Sequence, residues 1–164
     1  KLINQNKKAN TYDYEGLGFN YRMGTLNAAL LSSQVSRIDK ILYRKKQITE
    51  AYKDKLDKID SITFQIETKY CKSNNWANVI KLLNKKERDD LLLILNNKGI
   101  EAKLTFTPAS LVAWICDNNS FKYECLNSKN IFNTTLILPS SPSLSDEQIH
   151  VVCDEIISYY ERKK

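Results

Sequence analysis

The sequence holds one histidine, one methionine and three prolines, and its four cysteines contain no C-x-x-C pair. Cys71, Cys116, Cys125 and Cys153 are scattered, and the sole His150 sits on a helical pattern far from all of them in sequence. This spacing argues against a zinc site, and neither a serine nor a carboxylate is placed to make His150 part of a triad. No apolar run approaches the roughly 18 residues a membrane helix needs, and the opening Lys1-Leu2-Ile3-Asn4-Gln5 is not that of a signal peptide. The expectation is a cytoplasmic protein with reduced thiols and no membrane contact. Internal repeats are absent as well.

What is present is ordinary globular material. Hydrophobic residues make up 42% and charged residues 27% of 164 residues, which excludes a disordered or fibrous chain. A chain of this size buries roughly 70% of its unfolded surface, enough for one domain with a real core plus an arm. The net charge of +6 invites a nucleic-acid reading. Only Arg22, Arg37, Arg44, Arg88 and Arg162 among the 25 basic residues are arginine, however, and the lysines are strewn among acids. That is a solvated surface, and no nucleic-acid partner is expected.

Residues 1–24 lack periodicity and contain Gly16, Gly18 and Gly24, so they read as an extended arm. From Thr25, a possible N-cap, Leu26, Ala29, Leu30, Ile38, Ile41, Leu42, Ile48, Tyr52, Leu56 and Ile59 form one apolar stripe. With no Pro or Gly to interrupt it, a single helix over 25–60 would reach about 50 Å and span two bodies. Ile62, Phe64 and Ile66 alternate with polar residues, and Trp76 to Leu82 is a second β-prone run. Asn84 with Glu87 resembles a capping box for a helix bearing Leu91, Leu92, Ile94 and Leu95, which Gly99 should end. Ile100–Thr107 reads as a strand ended by Pro108, Ser128–Thr134 as a weak helix, and Leu136–Leu138 as a short strand. Ser145 and Gln148 bracket another capping box, for a terminal helix whose apolar face is Ile149, Val152, Cys153, Ile156, Ile157 and Tyr160. The order implies an α+β fold: an arm (1–24), a long helix (25–60), and a small domain (61–164) whose sheet carries helices on one side.

One segment carries more than fold. Gly18-Phe19-Asn20-Tyr21-Arg22-Met23-Gly24-Thr25-Leu26-Asn27-Ala28-Ala29-Leu30 is followed by Gln34, Arg37-Ile38-Asp39, Arg44 and Ala51-Tyr52-Lys53. Further along come Ser73-Asn74-Asn75-Trp76, Arg88-Asp89, Leu95-Asn96-Asn97-Lys98-Gly99-Ile100 and Leu138-Pro139-Ser140-Ser141. In this order the set closely resembles the C-terminal half of the DegT/StrS nucleotide-sugar aminotransferases, which use pyridoxal 5′-phosphate. Physically, glycines let the backbone pass closely, and an Asn amide with nearby N–H groups can hold an anion.

The resemblance implies that Asn20 reaches across a homodimer interface to the cofactor phosphate of the neighbouring subunit, with Tyr21 and Arg22 beside the same site. It places Lys103 and Phe106 near the nucleotide of the substrate, with Lys where relatives often carry Arg. Trp76 and Trp114 read as core residues. The lysine that forms the Schiff base would lie upstream, in a large domain that precedes this segment, so this chain alone would be inactive and would not hold the cofactor covalently. The whole enzyme would move an amino group from glutamate to a 4-keto-6-deoxy sugar linked to a nucleotide, UDP by resemblance, for bacterial surface glycans. A related sugar dehydratase, or a stand-alone dimerisation module without catalysis, are the other readings.

Overall fold

The computed structural model describes residues 2–3, 19–112, 115 and 125–163, of which 2, 3, 19 and 20 are described by their backbone alone. Gly16, Gly18, Trp114 and Cys116 lie outside the described residues, as does the side chain of Asn20. The chain divides into two compact units, Lys1–Asp39 and Lys40–Lys164.

In the first unit, β1 (Leu2–Ile3) pairs antiparallel with β2 (Phe19–Asn20), setting Leu2 opposite Asn20 and Ile3 opposite Phe19. Helix α1 (Thr25–Val35) follows. Gly24, rather than Thr25, occupies the N-cap, and its carbonyl accepts from the Ala28 N–H at 2.9 Å. The single helix expected over 25–60 is interrupted after Val35, because the serines there compete for the backbone. The Ser33 carbonyl accepts from Ser36 Oγ (2.9 Å) and Arg37 Nε (3.2 Å), while the Arg37 N–H turns to the Gln34 carbonyl three residues back, at 3.1 Å. This tightened turn separates α1 from α2 (Ile38–Leu56).

The second unit is built on a four-stranded antiparallel sheet of order β3-β4-β6-β5, comprising Thr63–Phe64, Asn78–Lys81, Thr135–Leu138 and Lys103–Leu104 respectively. The two central strands pair over four residues, from Asn78 opposite Leu138 to Lys81 opposite Thr135. The edge strands are shorter than their hydrophobic alternation suggests: Ile66 stays exposed, and only Lys103 and Leu104 of the 100–107 run join the ladder. Ile80, Leu136 and Leu138 meet Ile48, Tyr52 and Leu56 of α2, and Leu91 and Leu95 of α3 (Lys85–Asn97), in one core. Helix α5 (Asp146–Glu161) adds Ile149, Val152, Cys153, Ile156, Tyr159 and Tyr160, while Ile157 is only partly buried. Each fully buried aliphatic side chain contributes about 1.5–3 kcal/mol.

The helix ends follow local chemistry. Ser145 and Gln148 form the reciprocal capping box of α5. At α3, the Asn84 side chain accepts from the Glu87 N–H at 3.0 Å. The Glu87 carboxylate does not complete that box; it accepts instead from Tyr160 Oη and Lys163 Nζ. Gly99, at φ +76, is the only glycine among the described residues in the left-handed region, where a side chain would be strained. Arg88, buried in α3, donates to the Phe132 carbonyl at 2.6 Å and through two nitrogens to Asp89. It thereby ties α3 to α4 (Leu126–Thr134), the helix expected over 128–134.

Candidate functional site

The residues singled out from the sequence fall in both units. Asn20, Tyr21 and Arg22 belong to Lys1–Asp39, and Lys103 and Phe106 belong to Lys40–Lys164. Asn20 is the last residue of β2, and Tyr21 and Arg22, both exposed, follow outside any helix or strand before the Gly24 cap.

In the second unit, Lys103 and Phe106 share one cleft of about 470 Å³ with Trp76, Glu101, Pro139 and Ser141. That volume falls in the range of about 300–1,000 Å³ typical of small-molecule sites. Its most distinctive feature is a pair of aromatic rings. The Trp76 indole and the Phe106 ring stack with centroids 6.0 Å apart and planes 10° from parallel. Trp76, expected in the core, is 61% exposed, and Phe106 is 74% exposed. Two large rings stacked on each other and left facing solvent form a ready surface for a third planar group.

Local turns present Trp76. The Ser73 hydroxyl accepts from the Asn75 N–H and the Asn74 side chain accepts from the Trp76 N–H, each at 3.0 Å. Asn75 takes φ 49, a conformation that asparagine tolerates better than most residues. The Ser-Asn-Asn run that precedes the tryptophan is therefore a turn that swings it away from the core.

Lys103 brings the cation, but not a bare one. Its ammonium lies 2.7 Å from Glu101 Oε1, and that hydrogen bond holds the Glu101 carboxyl below the usual carboxylate range. Both side chains are exposed, so water weakens the pair and an incoming anion can compete for the ammonium. Also lining the cleft, Ser140 Oγ accepts from the Asn78 backbone N–H at 2.9 Å and donates to the Leu138 carbonyl at 2.8 Å. These bonds fix the Pro139-Ser140-Ser141 segment that closes the cleft. The assembly can hold a planar ring beside an anion. It contains no paired nucleophile and base, and His150 is an exposed residue of α5.

The sequence reading missed Trp76 and Glu101. The turn-forming Ser73-Asn74-Asn75 run was the available signal for the first; the second depends on a carboxylate two residues before a lysine, which carries no signature.

Comparison with known proteins bears on the chain as a whole. The chain matches the DegT/DnrJ/EryC1/StrS aminotransferase family over residues 2–157. It is 31% identical over 158 residues to the GDP-perosamine synthase of Vibrio cholerae, covering 91% of this chain and 41% of that protein. Among solved structures, Helicobacter pylori PseC, an aminotransferase involved in the biosynthesis of pseudoaminic acid, superposes with a TM-score of 0.82 at 16% identity, over 96% of this chain and 43% of its own. The PLP form of Spr1654 from Streptococcus pneumoniae superposes with a TM-score of 0.79 at 19% identity, over 96% of this chain and 41% of its own. The chain thus spans about two fifths of the length of the relatives it matches. No helix among the described residues is long and apolar enough to cross a membrane. The chain belongs to the DegT/DnrJ/EryC1/StrS aminotransferase family.

Proposed function

We propose that this chain is the C-terminal part of a cytoplasmic, homodimeric, pyridoxal-phosphate-dependent aminotransferase that moves an amino group from glutamate to a nucleotide-linked 4-keto-6-deoxy sugar for surface glycan synthesis. The observation that carries the reading is the family match over nearly the whole chain. The aromatic and cationic cleft of the second unit supports it independently, because a nucleotide offers a planar base and an anionic pyrophosphate.

Within this reading Asn20 serves the cofactor phosphate, and Tyr21 and Arg22 serve the adjoining substrate. An amide N–H suits a phosphate oxygen, and a phenol and a guanidinium can hold the polar groups of a sugar nucleotide, the guanidinium through two N–H groups. Pyridoxal 5′-phosphate, when bound, supplies the electron-withdrawing ring that carries the amino group between the two substrates. Lys103 serves the nucleotide phosphate as a point charge, where an arginine would offer a fork. Phe106 and Trp76 orient the base. On the family resemblance we assign the Schiff-base lysine to another part of the full-length enzyme and regard this segment alone as inactive.

The resemblance favours UDP, and the Vibrio cholerae relative is named for a GDP-linked sugar. The test is therefore to incubate the full-length enzyme with glutamate and each nucleotide-linked keto sugar, and to follow amino sugar and 2-oxoglutarate. Formation of both products is expected. A deoxygenated keto sugar without an amino group, formed with release of ammonia beside the 2-oxoglutarate, would put the dehydratase reading in its place, and no turnover of either sugar would remove both. In the same enzyme, Asn20→Ala should weaken cofactor retention by about 1.5–3 kcal/mol, the worth of one hydrogen bond to a charged group. Cofactor dissociation, followed by absorbance during dialysis, measures it; equal retention would remove Asn20 from the site.

A further inference from the structure

An exposed side chain cannot be oriented by core packing, so the direction of the Trp76 indole depends on how its own peptide is held. Its N–H is bonded to the Asn74 side chain. Its carbonyl accepts from Lys45 Nζ at 3.3 Å, and the same ammonium donates to the Ser140 carbonyl at 3.1 Å. Lys45 projects from α2 between Arg44, which donates to the Leu144 carbonyl and to Asp146, and Tyr52, which donates to the Pro139 carbonyl. Helix α2 thus grips the segment after β6 through Arg44, Lys45 and Tyr52, and of these three Lys45 also takes hold of Trp76, two residues before β4.

The arrangement is uncommon for a lysine. The ammonium is partly buried and has no carboxylate partner among the described residues, so two carbonyl oxygens replace its lost water. Burial lowers its pKa from the usual lysine value. Ser140 is already fixed through its hydroxyl by Asn78, and Thr49 of α2 donates to the Asn78 side chain at 2.6 Å. What Lys45 adds is the link from this fixed segment to Trp76. Lys45 itself does not line the cleft.

We propose that Lys45 is a positioning residue for the nucleotide cleft: by joining the Trp76 and Ser140 carbonyls it sets the indole against Phe106 as a stacking surface for a planar base. The proposal rests on the nucleotide-sugar reading above, and all its parts lie in the Lys40–Lys164 unit. Lys45→Met keeps the apolar stem and removes the donors, Lys45→Gln keeps a shorter donor, and Lys45→Arg keeps the charge and both donors.

The full chain carrying Trp114→Phe leaves Trp76 as the sole tryptophan, and titration with UDP, with GDP and with inorganic pyrophosphate reads the cleft directly. Nucleotide should quench Trp76 emission. Lys45→Met should bind nucleotide about fivefold more weakly, the equivalent of one lost hydrogen bond, and with less quenching. Pyrophosphate affinity should stay unchanged, and Lys45→Arg should restore both nucleotide readouts. Should Lys45→Met fail to fold, as judged by circular dichroism, Lys45→Gln gives the same comparison. Parental nucleotide affinity and quenching in the Lys45 variants would overturn the positioning role and leave the nucleotide reading standing. An equal loss for pyrophosphate and nucleotide would also overturn it, since the loss would then not concern the base. Absence of any nucleotide binding to the parent chain would remove the cleft, and the positioning role with it.

Discussion

A cation that must receive a phosphate is weakened by any carboxylate already bonded to it. Lys103 stands in that position, 2.7 Å from Glu101, on a strand edge where both side chains face water. Water screens exposed ion pairs of this kind, so Glu101→Gln should tighten nucleotide binding in the cleft only modestly, by about twofold. Calorimetric titration with UDP or GDP measures the change, and an unaltered or weaker affinity would show that Lys103 does not meet the phosphate. Lys103 and Phe106 were singled out in the sequence through the family resemblance, and the fold sets both on one cleft. Trp76 was misread as core because tryptophan is usually buried on average, and no residue-level rule weighs a Ser-Asn-Asn turn against that tendency. The role of Lys45 was not legible at all, since its two carbonyl partners lie 31 and 95 residues away.

Elements whose limits are set by neighbouring residues were the readable ones. The capping box of α5 and the left-handed Gly99 after α3 follow from three- and four-residue patterns, and both are realised. Ser145→Ala removes the side chain that accepts the Gln148 N–H, so it should cost about 1 kcal/mol. A lower urea midpoint with unchanged slope is the expected result; an unchanged midpoint would mean that the box contributes nothing. Where competing partners decide, the pattern failed. Glu87 had the right spacing to close a box with Asn84, but Tyr160 and Lys163, brought close only by the fold, take its carboxylate. The stripe from Leu26 to Ile59 had the right period for one helix, but the hydroxyl and guanidinium groups of Ser36 and Arg37 occupy the Ser33 carbonyl. Hydrophobic periodicity does not register such hydrogen bonds, which is why the break after Val35 was invisible to it.

On the scale of the whole molecule, the core of the Lys40–Lys164 unit and helix α1 of the other make opposite demands on the solvent. The core holds ionisable groups that must stay neutral. Burial pushes the Cys153 thiol from its ordinary 9.0 up to about 11, and burial likewise raises the Tyr52 and Tyr160 hydroxyls. The folded state keeps protons that the unfolded chain releases, so stability is complete below pH 9 and falls as pH rises toward 11, by about 2–3 kcal/mol for Cys153. Lys45, with its lowered pKa, acts in the opposite sense just below 10.5. Urea midpoints should therefore drop between pH 9 and 11, and Cys153→Ala should flatten that drop; equal slopes in parent and variant would refute the assignment. Helix α1 makes the other demand. Its sequence, Thr25 to Val35, contains no charged residue, and none of its residues is buried. Leu26 is 74%, Leu30 60% and Val35 58% exposed. Apolar residues point to several sides of the helix rather than to one stripe, a composition that belongs to a helix enclosed by partners. Stable monomers seldom expose contiguous apolar surface beyond a few hundred Å². The chain should therefore self-associate through α1, as the proposed homodimer requires, and Leu26→Glu with Leu30→Glu should shift it to monomer while leaving the Lys40–Lys164 core folded. Sedimentation velocity over a concentration series measures this. A parent chain that stays monomeric at the highest soluble concentration would show that α1 needs no second copy, and the homodimer would lose its support from this surface.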